Sequence, residues 1–92
     1  MSIPDSARPK RALGTRVRSI RGNQYVARGD EIYHLSDVAG DIWRLSDGTR
    51  TLAEVASAIA EEYDVALDVL RADVGEFVET FAAAGFLEVV RS

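Results

Sequence analysis

The sequence predicts an α+β fold, a three-stranded antiparallel sheet followed by three helices in the order βββααα. Three observations predict it. Apolar residues recur with a period near two from Thr15 to Leu35, interrupted by the turn residues Arg21-Gly22-Asn23 and Gly29-Asp30. The apolar spacing becomes helical after Leu35. Cap and stop residues then divide the remainder into three helical segments. So few short strands cannot bury their own apolar face, so the sheet must pack on the helices.

Residues 1–13 hold both prolines, Pro4 and Pro9, and the Arg8, Lys10, Arg11 cluster, without apolar periodicity. They are expected to form a flexible basic arm, with residues 14–92 as the folded domain. Arg16 to Ile20, Gln24 to Arg28 and Glu31 to Leu35 are the expected strands of a meander. Ser36 or Asp37 can cap the first helix, which carries Val38, Ala39, Ile42, Trp43 and Leu45 and ends at Asp47-Gly48. Thr51-Leu52-Ala53-Glu54 has capping-box spacing, opening a helix with Leu52, Val55, Ala56, Ile59 and Tyr63 on one stripe. After a loop from Asp64 to Leu67, a third helix is expected from about Asp68 to Ala84. Its core stripe is Leu70, Val74, Phe77, Val78 and Phe81, and Gly85 follows as the left-handed residue. Gly75 is either a tolerated weak spot or a point of close approach; Phe86 to Val90 reads as an extended tail.

Ninety-two residues, 47% of them apolar, suit one small domain. There is no cysteine, which excludes disulfides and thiolate metal sites. No apolar run approaches the roughly 18–20 residues of a membrane span, and no signal-peptide core follows the N-terminus. A soluble, cytoplasmic protein is expected. Net charge is −4 and unevenly spread: +4 over residues 1–34 and −8 over residues 35–92. Opposite faces could orient charged partners, or simply be solvated.

Catalysis finds little support. His34 is the sole histidine, without the ligand set a zinc site needs or an evident orienting partner for general-base work. No GxSxG, GxGxxG or phosphate-loop motif occurs. The expectation is a protein that is no enzyme and uses no metal or cofactor. DNA binding would need a basic recognition helix. The second helix has four acids and no Lys or Arg, and the third sets Arg71 against Asp68, Asp73, Glu76 and Glu79. Nucleic acid is therefore an unfavoured partner, and a small winged helix-turn-helix DNA-binding or transcription-associated protein is the alternative.

The run from Tyr33 to Thr51, with Leu35-Ser36, Ile42-Trp43 and Asp47-Gly48-Thr49-Arg50-Thr51, followed by Tyr63 and a last helix ending Gly85-Phe86-Leu87, resembles the PqqD family. The likeness covers residues 15–90. The Ile42-Trp43 pair and the short length look more like the small proteins of lasso-peptide clusters. The resemblance implies a winged helix-turn-helix-like fold. It also implies a RiPP recognition element, a module that binds the leader of a ribosomally made, post-translationally modified peptide. The leader would dock as an extra strand on the third predicted strand, in a groove walled by the third helix. An exposed strand edge beside a helix suits such β-augmentation on physical grounds as well.

The candidate peptide-binding residues are Glu31, Ile32, Tyr33, His34 and Leu35 on the strand, and Val69, Asp73, Glu76, Phe77 and Thr80 on the helix. On period two, Tyr33 and Leu35 share one face and Ile32 and His34 the other; sequence leaves open which pair faces the core. Asp73 and Glu76 could attract a basic residue of the peptide. Trp43 belongs to the core or covers part of a partner. The expected partners are a precursor's leader peptide and a protease or modifying enzyme to which it is delivered. No membrane is involved, and the protein is a monomer or a weak or strand-swapped dimer.

Overall fold

The computed structural model describes residues 3–90. In chain order the elements are β1 (Arg8–Arg11), β2 (Arg16–Ile20), β3 (Asn23–Arg28), β4 (Glu31–Leu35), α1 (Asp37–Leu45), α2 (Leu52–Tyr63), α3 (Leu67–Ala83) and β5 (Leu87–Val90). The fold is α+β, with β2, β3 and β4 an antiparallel meander in that order and β1 paired antiparallel with β5. No helix among the described residues is long and apolar enough to cross a membrane.

The β1–β5 pair corrects the expectation of a flexible arm over residues 1–13. Met1 and Ser2 lie outside the described residues, but Arg8 pairs with Val90 and Arg11 with Leu87. Ala7 and Pro9 are buried. The Ala7 carbonyl accepts from Leu52 N–H at 2.9 Å and the Pro9 carbonyl from Gly48 N–H at 2.8 Å, so this segment ties both ends of the chain to the start of α2. Proline has no N–H to give, but its carbonyl works normally, which suits a strand with only one strand partner. The segment from Phe86 is extended, as expected, and it packs into the core as β5, with Phe86 and Leu87 buried.

The meander turns follow their residue types. Arg21 and Gly22 both have positive φ, 51° and 83°, the requirement of a type I′ turn, while Gly29 at φ 59° opens the β3–β4 turn. Cross-strand register sets the two faces. Val17, Ser19, Gln24, Val26, Arg28, Glu31, Tyr33 and Leu35 share the face toward the helices. Arg16, Arg18, Ile20, Asn23, Tyr25, Ala27, Ile32 and His34 share the outer face. Burial of Val26 and Leu35 settles the open choice: Tyr33 and Leu35 face the core.

The helices start and stop as their caps dictate. The Ser36 hydroxyl accepts from Ala39 N–H at 3.2 Å. Thr51 and Glu54 form a reciprocal capping box, with bonds of 2.9 and 3.2 Å. Gly85 adopts φ 85°, and Phe86 N–H then donates back to Phe81 at 2.8 Å, turning the chain into β5. A side chain at Gly75 would meet nothing within 4 Å among the described residues, so none of them approaches α3 closely there. The core is one cluster in which the three helices pack on Val26 and Leu35 from the sheet and on Phe86 and Leu87 from β5. Trp43 is 4% exposed and belongs to it, not to a partner surface.

Candidate peptide-binding site

The site begins with a strand that has a partner on one side only. β4 pairs with β3, and among the described residues no strand pairs with its other edge. Arg28 and Glu31 flank the two-residue turn and face each other in register. Such closing residues form a hydrogen-bonded pair, and the antiparallel ladder alternates from there. Glu31, Tyr33 and Leu35 therefore direct their backbone groups to β3, while Ile32 and His34 direct theirs to the open edge. A strand added there would find two N–H donors and two carbonyl acceptors.

The side chains on β4 divide accordingly. Leu35 is buried at 3% exposure, so it offers a partner no side chain. Ile32 and His34 project from the outer face, where the His34 ring meets Tyr25 with centroids 5.2 Å apart. Tyr33 is 41% exposed yet its ring contacts Phe86 edge to face at 5.1 Å and Phe81 at 5.7 Å. Its hydroxyl reaches Glu31 at a long 3.4 Å.

Helix α3 supplies the other wall. Phe77 stacks on Phe81 with centroids 4.1 Å apart, one helical turn along. Asp73, Glu76, Phe77, Thr80 and Phe81 line an open depression of about 340 Å³. Tyr33, Phe81 and Phe77 thus give a continuous aromatic floor between strand and helix, with Asp73 and Glu76 on its rim. Of the helix residues expected from sequence, Val69 alone does not line it; it lies exposed one turn nearer the helix start. Phe81 was expected only as core. Its i, i+4 spacing from Phe77 is the signal that places both rings on one stripe.

A larger depression, about 650 Å³, is lined in part by Arg11, Gln24, Asp41, Arg44 and Tyr63. Four of its polar side chains, Arg11, Asp41, Arg44 and Tyr63, are engaged in hydrogen bonds. Tyr63 Oη donates to Asp41 at 2.5 Å, Arg44 donates to the same carboxylate at 3.1 Å, and Arg11 donates to the Trp43 and Arg44 carbonyls. The Tyr63 bond, with the Arg44 guanidinium, holds the Asp41 carboxyl below its ordinary range, and Asp41 pushes the Tyr63 hydroxyl up to about 12. These contacts fasten α1 to α2 and β1; they are architecture.

A small α+β domain with an open strand edge beside an aromatic-floored groove belongs to the class of folds suited to strand addition. The family model described as Coenzyme PQQ synthesis protein D (PqqD) matches residues 24–87, and the chain belongs to this family. It is 34% identical over 80 residues to the PqqA binding protein of Xanthomonas axonopodis pv. citri (strain 306), covering 85% of this chain and 87% of that protein. It is 29% identical over 91 residues to the PqqA binding protein of Rhizobium meliloti (strain 1021), covering 97% and 93%. The PqqD truncation of Methylobacterium extorquens PqqCD, a stand-alone RiPP recognition element, shares the fold at a TM-score of 0.74 and 24% identity, over 87% of each chain.

Proposed function

We propose that this protein is a non-catalytic recognition element that binds the leader of a ribosomally made precursor peptide by strand addition to β4. The observation that carries the reading is the open β4 edge set beside the Tyr33, Phe81, Phe77 floor. Backbone bonds at Ile32 and His34 would supply affinity for any extended chain; the floor and rim would supply selectivity. The Asp73 and Glu76 carboxylates favour a leader with Lys or Arg opposite α3. Ile32, Tyr33, His34, Asp73, Glu76, Phe77 and Thr80 are the residues proposed to contact it, with Glu31, Leu35 and Val69 supporting the strand and the helix start.

The bound leader is delivered to a separate protease or modifying enzyme. Holding the precursor raises its local concentration at that enzyme, so the rate gain needs no chemistry in this chain. The finer reading is a lasso-peptide pathway, supported by the Ile42-Trp43 pair. Both side chains are buried, so the pair speaks to lineage and not to peptide contact. PqqA is the competing cargo, favoured by the names of the relatives.

Calorimetry tests this with the leader encoded beside this chain and with PqqA of Xanthomonas axonopodis. Binding of the first alone supports the lasso reading, and binding of PqqA alone replaces it. No heat from either at tens of micromolar, about −6 kcal/mol, removes the leader-binding function.

A further inference from the structure

The outer face of the meander is left uncovered by the fold and has a composition unlike the rest of the chain. Every residue of β2 is exposed. Arg16 and Arg18 stand on this face beside Ile20, Tyr25, Ile32 and His34, with Ile20 50% and Ile32 54% exposed. The face carries no carboxylate, and among the described residues no ion pair engages either arginine. Arginine and aromatic residues with aliphatic neighbours, in the absence of Lys, Asp and Glu, are the composition of protein interfaces. The segment from residue 35 onward carries −8, so this basic face is set off against an acidic remainder.

We infer that this outer sheet face is a second docking surface, which takes an acidic patch of the partner enzyme while the leader occupies the β4 edge. The inference rests on the leader-binding reading above. Nucleic acid fits less well: tight phosphate binding needs an array of cationic contacts, and two arginines on a chain of net charge −4 do not make one.

The leader and the enzyme would meet on this face. A strand added to β4 continues the sheet, so its alternate side chains emerge on the outer side next to Ile32 and His34. Three strands of five to six residues present a face only roughly 15 Å by 17 Å, far below the ~800 Å² per partner of a standard interface. The empty protein therefore offers the enzyme a weak site, and the loaded protein a wider one that includes the leader itself. By reciprocity, the enzyme raises leader affinity by the factor by which leader raises enzyme affinity.

The test uses the full chain, its leader peptide and the purified modifying enzyme or protease encoded beside it, with R16E/R18E as the variant. Leader affinity is measured by calorimetry for both proteins, alone and with saturating enzyme; a 20-base-pair duplex serves as the nucleic-acid arm. Expected are equal leader affinities for wild type and variant alone, which also shows that the variant is folded. Enzyme should tighten leader binding to wild type at least about fivefold, at the low end of ordinary coupling, and leave the variant unchanged. Equal coupling in both proteins, or none in wild type, overturns the docking surface and leaves the leader-binding reading standing. Duplex binding that exceeds enzyme binding and disappears in R16E/R18E reassigns the face to nucleic acid. Absence of leader binding to wild type removes the leader-binding reading, and this inference with it.

Discussion

The ring of Tyr33 stands edge-on to that of Phe86, with centroids 5.1 Å apart, although 41% of the tyrosine is exposed. One residue thereby belongs to both the core and the surface. It locks the open strand to the segment after α3, and its exposed part is the surface proposed to meet the leader. Tyr33→Phe keeps every ring contact and loses only a long hydroxyl bond, so stability and leader affinity should change by less than about 0.5 kcal/mol. Tyr33→Ala should cost about 1–2 kcal/mol of stability and weaken leader binding at least about tenfold. Urea denaturation and calorimetry on the two variants check this.

The acidic rim of the groove has its own signature. Charge reversal in D73K/E76K should weaken binding of a leader with a basic residue by roughly 3–10-fold at low salt, with the difference shrinking at 0.5 M NaCl as screening takes over. An unchanged affinity would show these two carboxylates to be an ordinary solvated flank.

The β2–β3 turn holds a removable strain. Arg21 sits at φ 51° in a position that suits Asn or Gly, where a side chain with a Cβ and no local bonding is disfavoured. Arg21→Asn should stabilise the protein by about 0.5–1 kcal/mol, raising Tm by roughly 2–8 °C for a domain of this size. Scanning calorimetry reads it directly, and leader affinity should not move.

Acid sensitivity should trace in part to the Asp47-Gly48 turn. The Thr49 hydroxyl at 2.6 Å, its N–H at 2.9 Å and the Arg50 guanidinium at 2.7 Å hold the Asp47 carboxyl down to about 2, against an ordinary 3.8. The folded state thus binds this proton less readily than the unfolded chain. The stabilisation is complete above the unfolded value and is lost as pH falls from about 4 toward 2. Asp47→Asn should lose stability at pH 7 and show a flatter decline in that window. Parallel slopes for both proteins would contradict the assignment.

Much of the architecture was legible in local signals. The three meander strands, both N-terminal caps and the Gly85-Phe86 stop each depend on residues within a few positions of one another, so spacing reveals them. The β1–β5 pair does not. Arg8 and Val90 meet across nearly the whole chain, and the four residues of β1 show three charged side chains around one buried proline. Nothing local marks that stretch as a strand, and its proline argues against it. The site was legible to a similar depth. Period two paired Tyr33 with Leu35, but only the packed helices decide that this pair faces inward. Spacing along α3 found Asp73, Glu76, Phe77 and Thr80 together, while the share of Phe81 in the groove depends on Tyr33 crossing from the strand. Val69 lies one turn before Asp73 and is not among the residues that line that depression.

Amide hydrogen exchange at β4, with and without saturating leader peptide, tests strand addition most directly. Tyr33 and Leu35 amides should be protected in both states, because they bond to β3. Ile32 and His34 amides should exchange freely in the empty protein and become protected with leader bound. Saturation that leaves those two amides unprotected, or that protects β2 in their place, would contradict docking of the leader on β4.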